Sequence, residues 1–229
     1  MYSSATSQFS EIEIDGVIQP NVVASYIFDT KGEHTIKYTL IDNTSIGVEA
    51  FHNCKTLTSV TIPNSVTGIS SLAFCNCDRL TSVTIPNSVT IIRTSVFSGC
   101  SRLTSITIPD SMTIIESETF RGCSSLRSVI IPDSITTIKQ GAFQECIALN
   151  SVSIGNSVTN IGQYAFEHCT QLRSIICNAT TAPTIKDSTF ASVPTNGILT
   201  VPIGSTGYNV WMGTGNFYLG KYNWTKVEQ

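Results

Sequence analysis

The sequence predicts a mainly β solenoid, in which short strands and tight helical or 3₁₀ turns wind into stacked coils of 23 residues. Two regularities carry this prediction. Six of the eight cysteines, Cys54, Cys77, Cys100, Cys123, Cys146 and Cys169, recur at a constant interval of 23 residues. Phenylalanine keeps the same interval at Phe28, Phe51, Phe74, Phe97, Phe120, Phe143 and Phe166, then slips by one residue to Phe190. Composition agrees. Charged residues make up only 13% of the 229-residue chain and hydrophobic residues 41%, and the balance is largely Ser, Thr and Asn. Ser, Thr, Ile and Val together suit strands better than helices.

In chain order, the N-terminal segment comes first. Ile12 and Ile14, then Ile36, Tyr38 and Leu40, alternate with polar residues as strands do, and Asp15-Gly16 and Lys31-Gly32 are turn signals. Residues 1–43 are therefore predicted to be a β cap. The half-repeat TSIGVEAFHNC, from Thr44 to Cys54, joins it to a solenoid over residues 44–200.

The repeating unit is clearest from Leu57, LTSVTIPNSVTGISSLAFCNC. Val60 and Ile62 alternate with Ser59 and Thr61, which makes a strand with one buried face. Pro63-Asn64-Ser65 is a turn, because proline presets φ and Asn bonds the backbone just beyond it. Val66 to Ile69 is a second short extended piece. Ser70 to Cys77, with its polar start and its Ala73-Phe74 pair, is predicted to form one helical or 3₁₀ turn. The inward side chains of one coil cannot offset the entropy of ordering it, so coils must share hydrogen bonds and cover one another's apolar edges. At about 4.8 Å per coil, seven coils make a rod or shallow arc roughly 35 Å long.

The far end differs from the middle, as a cap must. Beyond Cys177 the pattern decays, Pro183, Pro194 and Pro202 appear, and a strand from Ile198 to Val201 closes the last coil. Residues 201–229 then hold Tyr208, Trp211, Phe217, Tyr218, Tyr222 and Trp224. They are predicted to cap the last coil's open apolar end, an aromatic ligand platform being the other reading.

The unit L-x-S-V-x-I-P-x-S-V-x-x-I-x-x-x-A-F-x-x-C resembles the BspA-like (Treponema-type) leucine-rich repeat, with Pro63, Ala73, Phe74 and Cys77 in their family columns. The likeness runs from about Thr44 to Thr200. The lead-in IEIDG…YIFDTKGEHTIKYTL and the tail TVPIGSTGYNVW…YNWTKVEQ are similar to the caps of such surface proteins from gut and oral anaerobes. The departures are Gly155 in the proline column, Val96 and Thr119 in the alanine column, and Val193 where a last cysteine would fall. The resemblance implies a leucine-rich-repeat solenoid of horseshoe or arc form. It implies a non-catalytic, extracellular or cell-surface scaffold for recognition, some members of the family being implicated in adhesion to host matrix and to other bacteria.

Residues able to carry chemistry are few. Equivalent cysteines in stacked coils lie about 5 Å apart, but with parallel side chains pointing inward. A buried ladder of free thiols is therefore expected, not disulfides, and a row of cysteines offers no convergent metal site. Cys75 falls off the interval and is expected at the surface; Cys177 is placed in the proline column and expected to be half-buried. His52 and His168 are read as solvated turn residues on the same outer turn, too far apart at about 24 Å to share a metal. Glu116 and Glu118 are read as solvated. No G-x-S-x-G elbow and no glycine-rich phosphate loop appears. No catalytic residue, metal ligand or cofactor is assigned.

The outward face of the main strand is the candidate binding surface. Its columns are Ser59, Ser82, Ser105, Ser128, Ser151, Ser174; Thr61, Thr84, Thr107, Ile130, Ser153, Ile176; and Thr58, Thr81, Thr104, Arg127, Asn150, Arg173. The first three coils are uniform. Variation begins with Arg127 and Ile130, and Arg173 with Ile176 repeats that pair two coils on. Exposed Ile beside Arg makes a mixed patch of the kind that protein interfaces use. The candidate site is therefore Arg127, Ile130, Asn150, Ser153, Arg173 and Ile176, and the partner a protein or glycoprotein.

A net charge of -3 argues against nucleic acid. No apolar stretch approaches the length of a membrane span. The opening MYSSATSQFS has neither the basic region nor the apolar core of a secretory signal. The alternative to a binding module is a structural spacer or display stalk within a larger surface or phage-borne receptor-binding protein. The near-identity of the coils starting at Leu57 and Leu80 favours that alternative. Binding to ice through threonine rows is opposed by the interruptions at Arg127, Ile130 and Ile176. An enzyme would need a crevice gathering perturbed acids and bases.

Overall fold

A computed structural model of the chain describes residues 8–21, 32, 34–42, 44–215 and 217–229. Phe28, Lys31 and the first seven residues, on which some of the expectations above fall, lie outside these. The described residues form a mainly β solenoid. Three strands make the N-terminal cap: β1 (Phe9–Ile14), β2 (Val17–Ile18) and β3 (Ile36–Leu40), antiparallel in the order β2-β1-β3. In the coils, two series of strands alternate. These are β4 (Ser45–Ile46), β5 (Ser59–Thr61), β6 (Gly68–Ile69), β7 (Ser82–Thr84), β8 (Ile91–Ile92), β9 (Ile114–Ile115), β10 (Ser128–Ile131) and β11 (Thr137–Ile138). They continue as β12 (Ser151–Ile154), β13 (Asn160–Ile161), β14 (Ser174–Cys177), β15 (Thr184–Ile185), β16 (Ile198–Val201) and β17 (Thr225–Glu228).

Every pairing in the coils is parallel and in 23-residue register until the late slip. The main face runs β10-β12-β14-β16-β17, with Ser128 opposite Ser151 opposite Ser174, and Ile130 opposite Ser153 opposite Ile176. The face thus gains a lap beyond the seven coils expected, because β17 from the C-terminal segment adds to it beside β16.

The third side of each coil is not helical. Residues 70–77 form consecutive turns, and their backbone bonds alternate. Leu72, Phe74 and Asn76 donate to Thr94, Val96 and Ser98 of the next coil, whereas Ala73, Cys75 and Cys77 donate three residues back in their own coil. A helix would use every N–H within the segment and leave no rung for the neighbour. The alternation requires two left-handed residues per coil. They recur in register at Leu72, Ser95, Glu118, Gly141 and Tyr164, and at Asn76, Gly99, Gly122, Glu145 and His168. Glycine and asparagine take several of these positions because neither is strongly penalised at positive φ.

Inside, the phenylalanines form one continuous stack. Ring centroids from Phe51 through Phe74, Phe97, Phe120, Phe143 and Phe166 to Phe190 are 5.1 to 5.8 Å apart, and the rings are nearly parallel. Both ends of the stack are plugged. Phe9 and Tyr38 of the N-terminal cap lie 5.5 and 5.2 Å from Phe51. Trp211 lies 5.4 Å from Phe190, with Tyr208 packed edge-on against it. Trp211, Tyr208, Leu219 and Trp224 are all buried. Tyr208 Oη donates to the Ala179 carbonyl, and the indole N–H groups of Trp211 and Trp224 donate to the carbonyls of Pro183 and Pro194. Trp211 and Tyr208 therefore close the C-terminal end of the phenylalanine stack, whereas Phe217 is exposed. A Cβ on Gly197 would lie 2.3 Å from the Trp224 ring, so only glycine admits that indole.

The departures from the repeat have local causes. Gly155 donates its N–H to the Ile131 carbonyl, and Asn178, its equivalent one coil on, donates to Ile154. Pro63, Pro86, Pro109 and Pro132 stand in that column without an N–H and cannot make this rung. A Cβ on Gly155 would also sit 2.5 Å from the Pro132 oxygen. Thr119 fills an alanine position because its hydroxyl is satisfied by the Glu116 carbonyl.

One coil breaks the ladder. Residues 105–107 form no strand, and their only neighbouring rung to the previous coil is a long one, Thr104 N–H to Thr81 O at 3.4 Å. The second ladder breaks there too, between β8 and β9. The turn side stays bonded across the same junction, through Ser95 to Ser117, Phe97 to Thr119 and Gly99 to Arg121. Rungs lacking inter-coil partners open at lower free energy than those inside a continuous sheet. In native-state hydrogen exchange, the amides of residues 105–107 are therefore expected to exchange well before those of residues 152–154. Equal protection would contradict the break.

Candidate functional site

The main strand face carries the candidate residues. Strand alternation sends Val129, Val152 and Ile175 into the core and turns Ser128, Ile130, Ser151, Ser153, Ser174 and Ile176 outward. Ile130 is 73% exposed and Ile176 37%. Arg127, Asn150 and Arg173 form the adjoining column, held in register by Asn150 N–H to Arg127 O and Arg173 N–H to Asn150 O. The structure thus places Ile130, Ser153 and Ile176 on one parallel sheet, with Arg127, Asn150 and Arg173 along its leading edge. Arg173 is held in place by donating Nη1 to the Thr195 carbonyl, whereas Arg127 makes no side-chain bond among the described residues.

Two further apolar residues belong to this face and were not identified from the repeat. Ile198 stands opposite Ser174 and is 49% exposed; Val227 stands opposite Thr200 and is 41% exposed. The one-residue slip before Phe190 put Ile198 off the 23-residue count, and β17 has no repeat signature. The alternation Ile198, Thr200 was the available signal for the first.

The six in-register cysteines form the expected file, and all eight cysteines are free thiols. From Cys77 onward, each in-register Sγ donates back to a phenylalanine carbonyl 26 residues earlier: Cys77 to Phe51, Cys100 to Phe74, Cys123 to Phe97, Cys146 to Phe120 and Cys169 to Phe143. Burial is the chief cause that raises these thiols above their ordinary range, Cys100 and Cys146 to about 12. Two expectations are corrected. Cys75 is buried, because its turn packs between neighbouring coils. Cys177 is fully buried and pairs with Ile154, so it belongs to an inward strand column, and Asn178 holds the proline position.

The polar candidates are also revised. Glu116 is not solvated alone: it accepts two hydrogen bonds from Lys139 on the next coil, at 2.8 and 2.9 Å. Glu118 lies near Arg121, which pairs with Glu145. His168 is exposed as expected, but at the second position after Phe166, in a left-handed conformation; His52 is half-buried. In the cap, His34 Nδ1 lies 2.7 Å from Asp15, which holds that carboxyl below its usual range. A shallow depression near the first coil contains Asp42 and Ser45, and there Thr44 and Ser45 donate their hydroxyls to the Asp42 carboxylate. That arrangement is an anchored turn, in which one carboxylate takes up both hydroxyls and the Thr44 backbone N–H. Among the described residues, no group of three or more acidic, histidine or cysteine side chains is placed to hold a metal ion.

The family model described as BspA type leucine rich repeat region matches residues 21–120 and 90–210, in six copies. Solved structures similar to this chain include a leucine-rich repeat protein from Bacteroides ovatus, at 27% identity and a TM-score of 0.53 over 77% of this chain. The leucine rich repeat protein of T. pallidum is 30% identical, with a TM-score of 0.57 over 68% of this chain. A leucine rich cell surface protein from Faecalibacterium prausnitzii is 26% identical, with a TM-score of 0.51 over 81% of this chain. The chain spans 50% of the Bacteroides protein, 67% of the T. pallidum protein and 65% of the Faecalibacterium protein. No curated protein matches this sequence.

The thiol file makes a chemical prediction. In native protein at pH 8, a thiol reagent is expected to modify the buried in-register cysteines only slowly, and denaturant is expected to open all eight to rapid reaction. Stability follows with a definite sign. The folded thiols hold their protons more tightly than the unfolded ones, so this contribution is complete below the ordinary value of 9.0 and is lost as pH rises toward about 12. Each such thiol removes about 1.4 kcal/mol of stability per pH unit in that window. Stability flat between pH 9 and 11 would contradict the burial of the file.

Proposed function

This chain belongs to the BspA-type leucine-rich-repeat family, and on that premise we propose that it is a non-catalytic binding module acting outside the cell or at its surface. Its role is adhesion or protein–protein recognition, and its partner is a protein or glycoprotein that docks on the main strand face. The observation that carries this reading is the placement of outward-facing Ile130, 73% exposed, and Ile176 beside Arg127 and Arg173 on one parallel strand face. In the first three coils the apolar side chains of that strand point inward, Val60 with Ile62, Val83 with Ile85 and Ile106 with Ile108. Apolar groups left outward next to guanidinium groups have the composition of an interface centre.

Two facts support the surface location. The similar Faecalibacterium protein is described as a leucine rich cell surface protein. Among the described residues, no helix is long and apolar enough to cross a membrane. A spacer role is the second reading, and the uniform outward residues of the first three coils favour it: Ser59, Ser82 and Ser105 beside Thr61, Thr84 and Thr107.

The test begins with a screen of the chain against mucins, matrix proteins and glycans, followed by the double variant Arg127→Glu, Arg173→Glu. Capture of the partner found in the screen is expected to fall at least tenfold, with folding stability unchanged within about 0.5 kcal/mol for such exposed positions. Full retention of the partner by the variant removes this face as the docking surface.

A further inference from the structure

The strand face has a second feature that its central patch does not explain. Many hydroxyls in two other columns of the coils are spent on the neighbouring coil. Thr67, Thr90, Thr136 and Thr159 each donate to a backbone carbonyl of the coil before, as do Ser88 and Ser111. The serine column of the strand face is different. Among the described residues, Ser59, Ser82, Ser105, Ser128, Ser151 and Ser174 make no side-chain hydrogen bond, although Ser59 pairs in register with Ser82, and Ser128 with Ser151 and Ser174. These short side chains run along the solenoid axis between longer ones, a row we read as the floor of a shallow linear trough.

The trough has unlike walls. On one side, arginine recurs on four coils: Arg79 and Arg102 just before the leucine column, Arg127 and Arg173 just after it. All four are exposed, and among the described residues the side chains of Arg79, Arg102 and Arg127 make no ion pair or hydrogen bond. On the other side stand the Thr84 and Thr107 methyls and then Ile130 and Ile176. Ile198 replaces serine in the floor column and closes the trough at its C-terminal end.

We propose that this trough binds an extended polypeptide segment in which acidic and apolar residues alternate. An extended chain lying along the axis sends successive side chains to opposite sides. Alternation therefore puts every carboxylate on the arginine wall and every apolar side chain on the threonine–isoleucine wall, while the free serine hydroxyls meet the segment's backbone. The lengths agree. Four coil steps from Arg79 to Arg173 span about 20 Å, and four carboxylates spaced two residues apart in an extended chain also span about 20 Å. Guanidinium groups in an acidic protein that have no internal partner suit carboxylates, which accept two parallel N–H bonds from each. This inference rests on the reading of the strand face as the docking surface and adds the chemistry of the partner.

The experiment measures fluorescence anisotropy of three labelled peptides of equal length on the full chain. One alternates four glutamates with valines, one replaces each glutamate by glutamine, and one gathers the same glutamates and valines into two blocks. The alternating acidic peptide is expected to bind at least tenfold more tightly than either of the others. Its affinity is expected to fall at least tenfold in Arg79→Glu, Arg102→Glu, to fall severalfold in Ile130→Ser, and to weaken as salt rises. Circular dichroism of each variant confirms folding. Equal binding of the block peptide, or indifference to Arg79→Glu, Arg102→Glu, overturns the proposal. So does a sulfated polysaccharide that binds through these arginines with no effect of Ile130→Ser. If the glutamine peptide binds as well as the acidic one and Ile130→Ser weakens both, the acidic preference fails and the face survives. If no peptide responds to any substitution and the screened partner ignores Arg127→Glu, Arg173→Glu, the face itself fails.

Discussion

The constraint on which this structure depends is that no coil can complete its own hydrogen bonding. On the turn side every second N–H is satisfied within the coil and every other one by the next coil. An isolated coil would leave half of those groups without partners, and buried unpaired amides are costly. The same dependence holds for side chains. Each phenylalanine ring is covered on both faces only by its neighbours, and such stacked pairs add about 0.5 to 1.5 kcal/mol beyond the area they bury. The first and last rings need caps for this reason, and Phe9 with Tyr38 at one end and Trp211 at the other supply them.

This dependence also separates what is fixed from what is free. Phenylalanine, cysteine and leucine are bound to their columns because each touches its equivalents above and below. The cysteine is part of the bonding pattern, since its S–H shares a phenylalanine carbonyl with a backbone N–H; Phe74 O, for example, accepts from both Cys77 N and Cys100 Sγ. Outward strand residues have no such duty. Arginine and isoleucine stand at Arg127, Ile130, Arg173 and Ile176 without disturbing the ladder, because an outward side chain touches no column of the core. The ladder interruption at residues 105–107 marks where the uniform first coils give way to the varied ones.

Much of this was legible from interval alone. The 23-residue recurrence of Cys and Phe fixes the stacking, the Ser-Val-Thr-Ile alternation fixes which side chains face out, and the aromatic content of the tail marks the cap. What escaped has physical reasons. The two left-handed residues per coil are spread over Leu72, Ser95, Glu118 and Tyr164 as well as Gly99 and Gly122, so residue type hides the column. An Ala-Phe pair after polar residues resembles a helical turn, because nothing local reveals that the neighbour takes the alternate N–H groups. Cys177 was misplaced by one column and Ile198 passed over where the repeat frays. β17 has no repeat pattern at all and is held to the face by pairing with β16.

The most direct measurement compares deletions of different length. Removing residues 57–79, one full period, keeps every column in register, and the shortened chain is expected to unfold cooperatively with the same β-rich circular dichroism. Removing residues 57–68, about half a period, sets strand against turn and phenylalanine against solvent, and that chain is expected not to fold. If the half-period deletion proves as stable as the full-period one, coil-to-coil register is not what holds this molecule together.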